Sequence, residues 1–323
     1  MLEDINKHSK KQDEIQQSCC LALGMIGDCD EDELDAKIRA ALIAVQEDLA
    51  DQQTRNFSLI ALAQVAGRPG AGQGDPIAGV NTIDKKVNVR GFLQGQLGKG
   101  KRAVKTWSAL AIALCERSLD DAQQESSAEM KGILRGVLAD AKTPEQVGAY
   151  AIAAGIVKDL GSKDVLLANL DKVRDIEARG YTAVALGMMN EREAIAPIQE
   201  IVKKSKYQPE LLRSAAIGLG LLGDKQLVPE LIDMLANAEG LSAQAAISSA
   251  LGFIGDSRSL DPLIAMLEDS QKTDLARGFA AVALGIVADK EELPWNSKIS
   301  VGINYRANTT TLTDQKGGIL DIL

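Results

Sequence analysis

The residues whose types could do chemistry gather first at Gly95-Gln96-Leu97-Gly98-Lys99-Gly100-Lys101-Arg102. This string satisfies G-x-x-x-x-G-K, the spacing in which loop N–H groups cradle phosphates and a lysine reaches them. Arg102, however, stands where such a loop carries Ser or Thr for magnesium, and Val89–Gln94 reads as helix rather than as the buried strand the motif needs. No hydrophobic strand ending in a metal-binding Asp is evident elsewhere, so a nucleotide site is not expected. A looser role remains for charge. Lys85, Lys86, Arg90, Lys99, Lys101, Arg102 and Lys105 are the one basic concentration on an acidic chain. Lys99, Lys101 and Arg102 are therefore the candidate anion-contacting loop, with a plain solvated loop as the competing account.

Other constellations are incomplete. Asp28, Asp30 and Asp32 imitate the first three ligands of a calcium loop, but position six is Glu33 rather than Gly and position twelve is Arg39 rather than Glu. An acidic lead-in that suits the dipole of the next helix is the expected role. Gly70, Gly72 and Gly74 miss the dinucleotide spacing and follow a helix end, so loop flexibility is expected there. The single histidine, His8, lies in a polar N-terminal stretch, which removes histidine-based metal clusters and leaves no well-placed Ser–His–acid or Cys–His set. Cys19, Cys20, Cys29 and Cys115 match no zinc spacing, and buried reduced thiols are expected. No catalytic, cofactor-binding or metal-binding residue is assigned, although paired carboxylates stay open because acidic residues are abundant.

Any site must be positioned by a repeat. Ala183–Gly187, Ala216–Gly220, Ser248–Gly252 and Ala281–Gly285 share the pattern (A/S)-x-A-L-G or a near variant, with successive glycines 32 or 33 residues apart. Polar turns follow at Asn190-Glu191, Gly223-Asp224 and Gly255-Asp256, and the turn after Gly285 is assigned to Asp289. Apolar runs containing proline come next, at Ile195–Ile201, Leu227–Leu235 and Leu260–Leu267. Two helical runs in a period of this length are the signature of an α-solenoid. Weaker copies at Cys20–Gly24, Leu59–Ala63, Ala109–Ala113 and Ala151–Gly155 bring the first helices to eight. Glycine inside a helix costs about 1 kcal/mol relative to alanine, so a neighbouring backbone is expected against it. Gly223 and Gly255 are expected to end helices in the left-handed conformation, and Thr143-Pro144-Glu145-Gln146 to start one.

Residues 1–323 are read as one continuous solenoid. Divergent repeats fill 1–66, a Gly-rich and basic insertion fills 67–105, and regular repeats fill 106–289. The insertion stretches the spacing between Ala63 and Ala113 to 50 residues, and Val89, Phe92, Leu93 and Leu97 predict a helix within it. In a non-helical cap over 290–323, Ile299, Val301, Ile303 and Tyr305 alternate, and with Trp295 they are placed to cover the last hydrophobic face. Hydrophobic residues make up 46% but aromatics only 3%, so the core must come from Ala, Leu, Ile, Val and Met. A net charge of −9 disfavours nucleic acid and anionic lipid. No run approaches the roughly 18 apolar residues that span a bilayer. The polar Met1–Gln17 shows no signal peptide, so a cytoplasmic setting is expected.

The units Ala183–Ile201, Ala216–Leu235 and Ser248–Leu267 resemble HEAT repeats, most closely the short bacterial HEAT-like type related to phycobilisome-lyase repeats, with its A-x-A-L-G-x-(L/I)-G-D-x-x-x-x-P-x-L pattern. The resemblance is strong over Gln146–Asp289, fair over Gln16–Leu49 and weak between. Pro294–Leu323 resembles the ending of bacterial HEAT-repeat proteins of no assigned activity. The implied fold is all-α: an α-solenoid of the ARM/HEAT type, a superhelix of antiparallel helix pairs with an irregular or short-β C-terminal cap. Second helices would line its concave side. Ile198, Ile201, Val202, Leu231, Ile232, Leu235, Leu263, Ile264 and Leu267 should then face the core. That leaves Gln199, Lys203, Glu230, Asp233 and Asp261 as candidate partner contacts, or as plain solvated positions. The resemblance implies a non-enzymatic scaffold or adaptor that needs no cofactor and binds a protein partner through the concave face or the ends. The alternatives are a lyase-like or other enzyme on the same scaffold and, less in keeping with the charge, a nucleic-acid binder.

Overall fold

The computed structural model describes residues 1–2, 5, 13–48, 51–72, 74–81, 88–205 and 207–290. The C-terminal cap expected from 290 onward lies outside the described residues beyond Lys290. Among the described residues every regular element is helical. The chain divides into two compact units, Met1–Val165 and a second that begins at Leu166. In the first, α1 (Asp13–Ile26), α2 (Glu33–Asp48), α3 (Gln52–Ala66), a single turn α4 (Ala78–Asn81), α5 (Val89–Lys99), α6 (Arg102–Asp121), α7 (Ala128–Ala139) and α8 (Pro144–Ile156) follow one another. After α9 (Lys163–Lys172), the second unit contains α10 (Ile176–Met188), α11 (Ile195–Lys204), α12 (Pro209–Leu221), α13 (Val228–Ala236), α14 (Leu241–Ile254), α15 (Leu260–Glu268) and α16 (Asp274–Lys290).

The eight first helices appear where the repeat pattern places them. α1, α3, α6 and α8 pack side by side in chain order, and so do α10, α12, α14 and α16. Between them, α2, α5 and α7, and likewise α11, α13 and α15, each pack on the first helix that follows. This is the all-α solenoid architecture, and the glycines explain its tightness. A Cβ on Gly187 would lie 2.8 Å from the Gly218 carbonyl oxygen, and one on Gly220 only 2.3 Å from that of Phe253. One on Gly252 would lie 3.2 Å from the Ala283 Cα. Each glycine thus receives the backbone of the next first helix. Ala183, Ala185, Ala216 and Ala250 are wholly buried around the same contacts.

The turns are also built alike. Gln123, Lys158, Asn190 and Gly223 adopt φ near +60°, and the next residue's N–H returns to the carbonyl five back: Gln124 to Leu119, Asp159 to Ala154, Glu191 to Leu186 and Asp224 to Leu219, at 2.8–3.0 Å. These are Schellman caps. Gly255, at φ +67°, ends α14 in the same left-handed conformation. Thr143 caps α8, accepting from the Gln146 N–H, with Pro144 at its first position. Two expectations need correction. No turn falls at Asp289, because α16 runs on to Lys290. Nor are Gly70 and Gly72 there for flexibility. Cβ atoms on them would lie 2.2 and 2.5 Å from the Asp30 side chain, so close approach demands them.

Two outcomes test this account. Gly220→Ala should lower stability by about 2 kcal/mol, because a backbone carbonyl cannot give way. Gly132→Ala, where nothing among the described residues lies within 4 Å, should raise it by up to about 1 kcal/mol through helix propensity. Urea unfolding midpoints of the two variants should therefore move in opposite directions. Lys158→Gly should stabilise by about 1 kcal/mol, since a left-handed lysine carries a penalty that glycine lacks.

Candidate partner-binding face

The G-x-x-x-x-G-K string does not form a phosphate loop. Gly95 lies inside α5, Gly100 ends it, Lys101 is the N-cap of α6 and Arg102 its first residue, so helix meets helix with no strand. Lys99, in the last turn of α5, complements the helix dipole. Lys99 and Lys101 are exposed. The side chain of Arg102 and all of Lys85, Lys86 and His8 lie outside the described residues. Arg90 is committed elsewhere. Its guanidinium donates to both oxygens of Glu116, at 2.7 and 2.9 Å, and Glu116 is only 1% exposed. Burial alone would pull the Arg90 pKa down, but hydrogen bonding to that carboxylate outweighs it and the net shift is upward.

The acidic loop before α2 is a chain of Asx turns. Asp28 accepts from the Asp30 N–H, Asp30 from that of Asp32, and Asp32 from those of Leu34 and Asp35. Oxygens of Asp28, Asp30 and Asp35 lie within 4.8 Å of one another. They already serve the backbone: Asp35 accepts from the Asp28 N–H and Asp30 from that of Gly72. Arg39, the residue that spoils the calcium pattern at position twelve, donates to the carbonyls of Asp28 and Asp30 at 2.9 and 2.8 Å and brings the positive charge itself. The four thiols are buried and free. Burial pushes Cys20 up to about 12 and Cys29 to about 11, and drives Cys115 well above its ordinary value. Those three thiols are not primed as nucleophiles.

The second helices of the second unit remain. Gln199, half-buried on α11, donates to the Asp224 carboxylate at 2.8 Å and so ties its helix to the following turn. Lys203 is exposed, 3.8 Å from the Glu200 carboxylate. Glu230 and Asp233 on α13 and Asp261 on α15 are exposed. Among the described residues no hydrogen bond or ion pair holds their carboxylates. Neither α13 nor α15 carries a Lys or Arg. Between these helices runs a groove of about 330 Å³, lined by Ile232, Leu235, Pro262, Ala265 and Met266, with Gln244, Asp269 and Lys272 as its polar members.

The core-facing set holds at Ile198, Ile201, Val202, Leu231, Leu235 and Leu263, which are buried, while Ile232 and Leu267 are half-buried. Ile264 is the correction: it is 40% exposed. Leu263 and Met266 fill the buried side of this nine-residue helix, and Ile264 projects about 100° round from Leu263. The groove itself escaped the sequence pattern. Its signal was the surplus of apolar residues on α13 and α15 beyond what one buried stripe uses.

Beside α15, the Asp256 carboxylate accepts from the Arg258 Nε at 2.7 Å and from the Arg258 N–H, with Lys225 3.7 Å away. The Arg258 hydrogen bond, against some cost of burial, holds Asp256 below the usual carboxylate range.

A stack of helix pairs joined by left-handed turns defines an α-solenoid. The family model for HEAT repeats matches residues 163–249 and 205–285, so this part of the chain consists of HEAT repeats. The bilin biosynthesis protein PecE of Mastigocladus laminosus is 36% identical over 102 residues, 30% of this chain and 38% of that protein. The PecE of Nostoc sp. is 38% identical over 92 residues, 28% of this chain and 33% of its own length. The chain thus matches little more than a third of these relatives. Among the described residues no helix is long and apolar enough to cross a membrane.

Asp256→Asn should destabilise by about 1 kcal/mol at pH 7, because charge-assisted hydrogen bonds are lost next to a half-exposed arginine. A depressed carboxylate stabilises above its unfolded pKa of about 4 and loses that stabilisation as pH falls through the lower folded value. The gap between variant and native chain in urea midpoint should therefore close below about pH 4.

Proposed function

We propose that this chain is a non-enzymatic scaffold that binds a protein partner through α13 and α15. One combination carries the proposal: a largely apolar groove, with Lys272 in its lining, between two helices that bear the exposed carboxylates Glu230, Asp233 and Asp261 and no Lys or Arg. An apolar side chain entering the groove would gain about 25 cal/mol per Å² removed from water. The carboxylates would favour positive residues beside that anchor and discriminate against acidic competitors. A basic segment with one apolar anchor is therefore the partner chemistry that fits. The HEAT repeats and the net charge of −9 support a protein partner over nucleic acid.

A second function is favoured by one observation, the likeness to proteins named for bilin biosynthesis. On it the same scaffold would act on a bilin. Covalent capture by this chain's own cysteines is disfavoured, because all four thiols are buried and the pKa values of Cys20, Cys29 and Cys115 are raised. A visible absorbance shift on mixing the purified chain with a bilin would favour this second function over scaffolding.

The test of the first is a triple charge reversal, Glu230→Lys with Asp233→Lys and Asp261→Lys. Stability should change by no more than about 0.5 kcal/mol per exposed site. Capture of a specific protein on the immobilised chain, quantified by mass spectrometry, should fall at least about tenfold, a loss of about 1.4 kcal/mol in binding. Equal recovery by both chains would remove α13 and α15 from the interface.

A further inference from the structure

The groove between α13 and α15 is apolar except at Gln244, Asp269 and Lys272. Gln244 stands near the start of α14 and is only 6% exposed. Its Nε2 donates to the Ala238 carbonyl, in the link between α13 and α14, at 2.7 Å. That bond fixes which way round the amide sits, because the reverse orientation would set two oxygens against each other. Among the described residues nothing donates to the Gln244 Oε1. The unpartnered side-chain atoms sealed from solvent are Arg39 Nε and Arg55 Nε, so Gln244 Oε1 keeps contact with solvent, and the groove is the opening beside it. While the groove is open, water can satisfy this oxygen. An anchor built of carbon alone would displace the water and leave a buried acceptor unpaired, which is costly.

We propose that Gln244 decides which side chain the groove admits, and that the anchor it selects is a tryptophan whose indole N–H donates to Gln244 Oε1. This rests on the reading of α13 and α15 as a partner-binding face and makes its anchor specific. The indole nitrogen is a donor and never an acceptor, so pairing with Gln244 leaves no polar atom of the ring unmet. The rest of the lining suits a flat ring. Met266 offers a thioether, a favourable neighbour for an aromatic, and an ammonium such as that of Lys272 is attracted to an indole face. At about 330 Å³ the groove is at the small end of ligand pockets and takes one side chain rather than a helix. Basic residues flanking the tryptophan complement Glu230, Asp233 and Asp261.

The test uses the full chain and two short dye-labelled peptides, followed by fluorescence anisotropy. One has lysines on either side of a single tryptophan. The other carries benzothienylalanine there, in which sulfur replaces the indole N–H and the shape is kept. The native chain should bind the tryptophan peptide at least about tenfold more tightly. In Gln244→Met, checked for native helix content by circular dichroism, the two peptides should bind within about twofold of each other. A merely structural role for Gln244 would weaken both peptides and preserve their ratio. Equal binding of the two peptides by the native chain overturns the role of Gln244 and leaves the groove as a partner site. A tryptophan advantage that survives in Gln244→Met also overturns it, since another acceptor would then be responsible. If the native chain binds neither peptide, the reading of α13 and α15 falls and this inference falls with it.

Discussion

The approach of one first helix's backbone to the next is the constraint on which the rest of the structure depends. Gly187 and Gly218 interlock, so that a Cβ on either would meet backbone of the other helix within 2.7–2.8 Å. Helices this close leave no room between them for large side chains, which is why the chain is 46% hydrophobic but only 3% aromatic. Close packing supplies dispersion contacts along the whole length of each pair. Glycine costs helix propensity at each such position, and the stack offsets that cost by repeating the backbone contact at Gly187, Gly218, Gly220 and Gly252.

Periodicity in packing requires periodicity in the turns. A residue at φ near +60° reverses the chain after each of α6, α8, α10 and α12, and the hydrogen bond that follows fixes where the next segment begins. Two turn acids find arginine: Asp159, after α8, pairs with Arg135, and Asp256, after α14, with Arg258. Both arginines are about half-exposed, so each pair contributes no more than about 1 kcal/mol. Backbone geometry, not charge, therefore sets the spacing. Arg90 and Glu116 are the exception. Glu116 is buried and Arg90 largely covers it, so removing the arginine would strand the carboxylate at a cost of about 3 kcal/mol.

Much of this was legible in the sequence because glycine and proline report backbone geometry directly. The repeat period, the Thr143 cap, the left-handed Gly223 and Gly255 and the close-packed helix glycines follow from residue type alone. What stayed hidden depends on neighbours distant in sequence. Lys158 takes the same left-handed conformation as Gly223 with no compositional sign of it. Gly70 and Gly72 look like a flexible loop until Asp30, some forty residues earlier, is seen against them. Gln199 looks like a free surface amide, yet Asp224 holds it. At the candidate face, the exposure of Ile264 escaped the helical pattern because α15 is too short to bury both Leu263 and its neighbour.

The distribution of acids gives the last step. Those that build the structure sit in turns and caps and accept hydrogen bonds there, as Asp28, Asp30, Asp159 and Asp256 do. On α11, Glu200 has Lys203 and Lys204 beside it at 3.8 and 3.4 Å. α13 and α15 depart from both habits. They carry acids without a basic residue on either helix, and the groove runs between them. Solubility alone is served as well by mixed charges spread over the surface. An excess of acids near exposed apolar surface, offset at the groove by Lys272 alone among its lining residues, instead favours a positively charged, partly apolar ligand. This charge pattern is the physical ground for the proposed recognition through α13 and α15.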